Sequence, residues 1–137
     1  MTTSAIENAN VQLLAILGAV SSIKKAYDDA PEMMGEFPCL YAVPLRSNSI
    51  YQAGSEIRSL VTFLVEVHVA RGVLPEADKI VKPLFALIEN AVWSKVTLNG
   101  TVDTVNELRQ QYVTFEVGAE KHVGIRIEVD VKIRRVL

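Results

Sequence analysis

Along the chain, the apolar residues alternate between helical and strand spacing. From Ser4 to Val20, Ile6, Leu13, Leu17 and Val20 fall on one face, the pattern of an amphipathic helix. Ser4 and Glu7 at its start form a capping box, in which the hydroxyl accepts from the Glu7 amide and the carboxylate reaches back. Gly18 and the pair Ser21-Ser22 weaken its end. From about Ile57 to Ala70 a period of two takes over. Ile57, Val61, Phe63, Val65, Val67 and Val69 share one face, with Ser59 the exception, while Arg58, Thr62, Glu66 and His68 share the other with Leu60 and Leu64. At about 3.3 Å per residue this strand spans about 45 Å, roughly twice the usual length. Part of it is expected to project beyond the core or to pair with another subunit. Pro75 to Trp93 returns to helical spacing. Pro75 suits a first helical position, Ile80, Leu84, Ile88 and Ala91 form the stripe with Leu87 beside them, and Pro83 predicts a kink or two short helices. The last segment alternates again. Val123, Ile125, Ile127, Val129, Val131 and Ile133 face one way, and Gly124, Arg126, Glu128, Asp130, Lys132 and Arg134 face the other.

Shorter stretches complete the pattern. "IKKAYDD" from Ile23 reads as a weak strand and "APEMMGEFP" as a loop. "CLYAVPL" is a strand bracketed by Pro38 and Pro44, which predicts an edge position or a departure from the sheet at Pro44. Arg46 to Glu56 is polar and contains Gly54, so it reads as an exposed loop or a mobile hairpin tip. Asn99-Gly100 between β-prone runs predicts a hairpin, and "GAEK" at 118–121 predicts a second. The whole is an α+β fold in one domain over residues 1–137: a mostly antiparallel or mixed sheet, two main helices packed on one face, and an extended β-hairpin or loop.

Composition narrows the function. The chain has 137 residues, half of them hydrophobic, with a net charge of −2 and a pI near 5.7. That length supports a real core, and that charge speaks against a dedicated nucleic-acid binder. The N-terminal "MTTSAIENAN" lacks a basic start and an apolar centre, so no signal peptide is expected, and no apolar run has the length of a membrane span. The single cysteine, Cys39, reads as a small buried hydrophobe.

Candidate chemistry is sparse. His68 has Glu66 two residues away on the same strand face, and that pair could orient an imidazole for acid–base work. No local motif marks a nucleophile, and a polar residue on a wet strand face is the simpler reading. His122, next to a turn, reads as a surface residue. Asp28, Asp29, Glu32 and Glu36 surround a proline loop as a solvated acidic cluster without calcium-loop spacing. Met33 and Met34 within it suit either a partner or the core. Lys132, Arg134 and Arg135 form a small basic end, open to solvent or to a phosphate or subunit contact. No catalytic, cofactor-binding or metal site is expected, and the chain does not read as an enzyme.

Several pieces together resemble one family. "IKKAYDDAPEMMGEFPCLYAVP", "VEVHVARGVLPEADKIVKPLFALIENAVW", "LNGTVDTV" and "GIRIEVDVKI" are similar, in order and spacing, to segments of the tailed-phage tail terminator (tail completion) proteins, from about Ile23 to Ile133. Val73 stands where that family more often has a polar residue before Leu-Pro. The resemblance implies a virion protein at the tail–neck junction, assembled in the host cytoplasm. It would form a homo-hexameric ring without a cofactor, with no membrane partner. The ring would cap the tail tube, stop its polymerisation, meet the neck or head-completion connector, and let phage DNA pass. Ring contacts are heterologous. On that reading the charged face of the last strand (Arg126, Glu128, Asp130, Lys132, Arg134) and the outer face of the long strand around Glu66 and His68 make subunit contacts. The Arg46–Glu56 segment, with Ile50 and Tyr51 as anchors, orders on docking, and Arg46, Arg58 or Lys132 line the lumen. The alternatives are another neck or tail ring protein (a connector or a tube subunit), a host adaptor, or a small non-viral enzyme or ligand-binding domain using Glu66 and His68.

Overall fold

The computed structural model describes residues 4–31, 34–52, 54–71 and 75–136. In chain order its elements are α1 (Ala5–Gly18), β1 (Lys25–Tyr27), β2 (Cys39–Gln52), β3 (Glu56–Arg71), α2 (Pro75–Trp93), β4 (Thr104–Val117) and β5 (Glu120–Val136). The five strands form one mixed sheet in the order β1-β2-β3-β5-β4. β1 runs parallel to β2, and every other neighbour is antiparallel. This is the α+β architecture the periodicities predict.

The inner face of the sheet carries the core. Leu13 and Leu17 of α1 and Val81, Leu84 and Ile88 of α2 join Val61 to Val69 of β3 and Val123 to Ile133 of β5 in one buried cluster. Burying each of the larger side chains contributes roughly 1.5–3 kcal/mol. Ser59 keeps the alternation without being apolar: it is buried on the inner face and shares a 3.0 Å hydrogen bond with Ser49 across the β2–β3 pair.

Several expectations change. At the N-cap, the Glu7 amide donates to the Ser4 hydroxyl, but Glu7 accepts from that hydroxyl instead of reaching the backbone. The stripe of α2 is rotated: Ala77, Val81, Leu84, Ile88 and Val92 are buried, while Ile80 and Leu87 are exposed. The helix is one element through Pro83, so the alternative of two short helices does not hold. Pro83 lies on the solvent-exposed side of the helix.

For Arg46 to Gln52 the hairpin alternative holds and the loop does not. This stretch is the far half of β2, paired with Glu56 to Thr62 of β3 after a bulge between Pro44 and Arg46. The edge alternative for Pro44 holds, because β1 covers β2 only as far as Tyr41. The Asn-Gly hairpin does not form. Lys95 to Asp103 wind through turns after α2, with positive φ at Leu98, Asn99 and Gly100. Fully buried Leu98 anchors them, and the expected pairing shrinks to one bond from the Val105 amide to the Val96 carbonyl. The helix ends too close to Asn99 to leave room for a strand. The second predicted hairpin is present as β4–β5. Glu32, Met33 and the Leu-Pro turn at 72–74 lie outside the described residues.

Candidate functional site

The outer face of the sheet, opposite the helices, holds nearly every residue singled out from the sequence. It divides into three zones along β3 and β5.

The proximal zone is built on a close strand contact. Gly124 of β5 pairs with His68 of β3, and a β-carbon there would stand 1.9 Å from the Val67 carbonyl oxygen and 2.9 Å from the Phe115 ring. Only glycine permits that approach. Phe115 stacks on His68 with ring centroids 4.3 Å apart. His122 meets His68 edge-on, and Phe37, from the segment preceding β2, packs edge-on against His122. Both histidines are therefore buried, each 1% exposed, and neither is the surface residue the sequence predicts. Alternation places His68 and His122 on the outer face correctly, but the chain around Met34 and Phe37 covers that face here.

The two imidazoles share a 2.9 Å contact between their Nδ1 atoms. Such a contact needs one proton, so one ring donates and the other accepts. His122 Nε2 is 3.0 Å from Glu120 Oε2 and donates to that carboxylate. His68 Nε2 stands 3.5 Å from Glu66 Oε1 but makes no hydrogen bond, and the Tyr41 hydroxyl donates to the same oxygen at 2.7 Å. The row Tyr41–Glu66–His68–His122–Glu120 runs from a small cavity of about 310 Å³ to the solvent side at Glu120. His68 draws the Glu66 carboxyl below its ordinary range against the opposing effect of burial, and Tyr41 and Arg126 add to that pull. Tyr41 is pushed up by burial and by Glu66. Cys39, paired with His68 in register, is buried, and burial followed by Glu36 pushes its thiol up to about 11. It stays a protonated small hydrophobe. Among the described residues, no group of three or more His, Cys, Asp or Glu side chains converges as a metal ion would need.

The middle zone is a polar lattice across four strands. Arg109 of β4 grips Asp130 of β5 with both guanidinium nitrogens, at 2.8 and 3.0 Å, and also reaches Glu107 and Glu128. Thr62 donates to Asp130 at 2.7 Å, and Arg46 pairs with Glu128 at 3.3 Å. The Arg109 guanidinium holds the Asp130 carboxyl below its usual range against burial, and Thr62 helps. Arg109 and Phe115 escape notice in the sequence because neither lies in a motif and both acquire their partners only across the strands.

The distal zone is open. Ile50 is 61% and Leu60 47% exposed on this face, while Tyr51, paired with Ile57, is 67% exposed on the opposite face of the ribbon. Arg58 and Arg134 share one carboxylate, Glu56, at 3.4 and 3.1 Å. The structure thus splits the predicted contact residues. Ile50, Tyr51, Arg58, Lys132 and Arg134 lie at the open end. Arg46, Glu128 and Asp130 belong to the lattice. Arg126 sits over the Phe115 ring, Glu66 is half-buried, and His68 is covered.

No helix among the described residues is long and apolar enough to cross a membrane. A scan against known protein families finds no match, and no curated protein matches the sequence.

Proposed function

We propose that the chain is a structural ring subunit: six copies cap the end of a phage tail tube, end its growth and form the joint to the neck. The ring belongs to the virion, is assembled in the host cytoplasm, and lets DNA pass. The observation that carries this reading is the distal β2–β3–β5 ribbon. It holds Ile50, Tyr51 and Leu60 in water on paired strands. β4 pairs with β5 only from Lys132 inward, so the ribbon also continues past it. Large apolar side chains on a rigid ribbon serve a protein interface better than a monomer's surface. The order and spacing of the segments similar to tail terminators supply the identity of the ring.

Light-scattering mass, with electron microscopy of the same peak and of the protein mixed with tail tubes, tests it. Rings that cap tube ends are expected. Long tubes formed by the chain alone would replace the terminator with a tube subunit, and a monomer indifferent to tubes would refute ring function. The cavity beside Glu66 and His68 favours a second reading, a small-ligand domain. That reading requires a ligand whose binding is lost in His68→Ala while assembly persists.

A further inference from the structure

The distal zone is cationic as well as apolar. Residues 46–52, 56–62 and 130–136 contain five basic side chains and two acidic ones, in a chain whose net charge is −2. The two carboxylates are already engaged, Asp130 by Arg109 and Glu56 by two arginines. Lys132 makes no ion pair among the described residues. On the outer face Arg58, Lys132 and Arg134 border a groove of about 690 Å³ with Ile50 and Leu60, and Asp103 stands at its rim; Arg135 lies on the inner face at Ser59 and Arg46 pairs with Glu128. An apolar floor with a cationic border fits an acidic peptide segment that also carries apolar atoms.

The chain owns such a surface beside the first half of β2. Asp28, Asp29 and Glu36 are exposed there, beside Ala30 and Pro31. β1 ends with Tyr27 beside Tyr41 and the groove begins at Asn48, so roughly 23 Å of extended strand separates them. A chain therefore cannot fill its own groove, and the complementary surface must come from another molecule. We infer that the distal groove receives the acidic surface carried by Asp28, Asp29 and Glu36 of a second copy of this chain, so that copies join head to tail. Two different surfaces meet in that contact, which makes it heterologous and able to close into a ring. Closure into a ring rests on the proposed function; the pairwise contact does not.

A charge exchange tests the contact. Arg58→Glu with Lys132→Glu gives a chain acidic on both surfaces, and Asp28→Lys with Asp29→Lys gives a chain basic on both surfaces. Each variant alone is expected to run as a monomer where the wild type assembles. An equimolar mixture should recover assembly, since each groove then meets a surface of opposite charge. Assembly of the wild type and of the mixture should weaken as salt rises. Recovery in the mixture also shows that both variants fold. The inference is overturned if either variant alone assembles like the wild type, if the mixture stays monomeric, or if the wild type is monomeric at low salt. It is equally overturned if the groove instead binds a DNA oligonucleotide, with binding lost in Lys132→Glu, while the mixture does not assemble. Capping of tail tubes is scored separately. A ring that caps tubes but ignores the charge exchange removes this contact and leaves the ring reading standing.

Discussion

At the proximal end of the outer face two histidines lie in the dark beneath aromatic rings, while eight residues earlier on the same strand Leu60 stands in water beside Ile50. Residue type would predict the reverse. The difference comes from what covers each end. Met34 and Phe37 cover the first, and nothing within the described chain covers the second. Burial on a sheet face is decided by its neighbours, and alternation reports only which face a residue occupies. On the proposed reading the proximal end serves stability and the distal end association, and each can be broken separately.

The largest effect is expected at Gly124. Gly124→Ala forces a methyl group against a backbone carbonyl and the Phe115 ring, and β5 must move away from β3. Urea unfolding should show a loss of roughly 3 kcal/mol or more. An unchanged midpoint would mean that the strands have slack there and that Phe115 does not fix the histidines. Next come the histidines. His122→Leu leaves a buried imidazole nitrogen without its partner and should cost about 2 kcal/mol. His68→Leu with His122→Leu should cost less than the two single changes added together. Strict additivity would show that the imidazoles do not act as a pair.

A smaller effect is expected from the lattice. Because Asp130 is held below its unfolded range, its contribution is complete above the ordinary carboxylate pKa. It is lost as pH falls through the lower, folded value. Acid titration of Asp130→Asn should therefore lack that part of the decline, and Arg109→Met should reduce it. At neutral pH the exposed arginine limits the difference to about 1 kcal/mol. An acid profile of Asp130→Asn matching the wild type would remove the lattice from the account of stability. The smallest effect on stability belongs to the distal end. Ile50→Ser and Leu60→Ser should move the unfolding free energy by no more than about 0.5 kcal/mol while weakening assembly in light scattering. A larger loss of stability would show that these side chains serve the monomer.

Much of this architecture was legible beforehand. The start of α2 follows from Pro75, and the inner faces of β3 and β5 follow from alternation of apolar residues broken only at Ser59. Other features depend on contacts distant in sequence. Ile80 and Val81 are equally apolar, and only the position of the sheet decides that Val81 is buried. "RSNSIYQ" has the polarity of a loop because its outer face has no cover, although it pairs throughout with β3. Asn99-Gly100 has the chemistry of a hairpin turn but follows directly on a helix. The histidine row needed three separate facts: the register of β3 against β5, the absence of a side chain at Gly124, and the folding of the segment before β2 over the face. None of these is local.

The position of β5 also governs how the fold is acquired. The strand that follows all the others in the chain is inserted between β3 and β4 and makes the long pairings with both. Until it emerges, β3 has only a hairpin partner and β4 has none, so two β-rich edges wait with their apolar faces incompletely covered. At a synthesis rate of roughly 5–20 residues per second, that interval lasts seconds. Closure then depends on contacts far apart in sequence, which form slowly. The nascent chain is most exposed to aggregation in that window, and its yield in cells should depend on chaperone capacity more than its final stability would indicate.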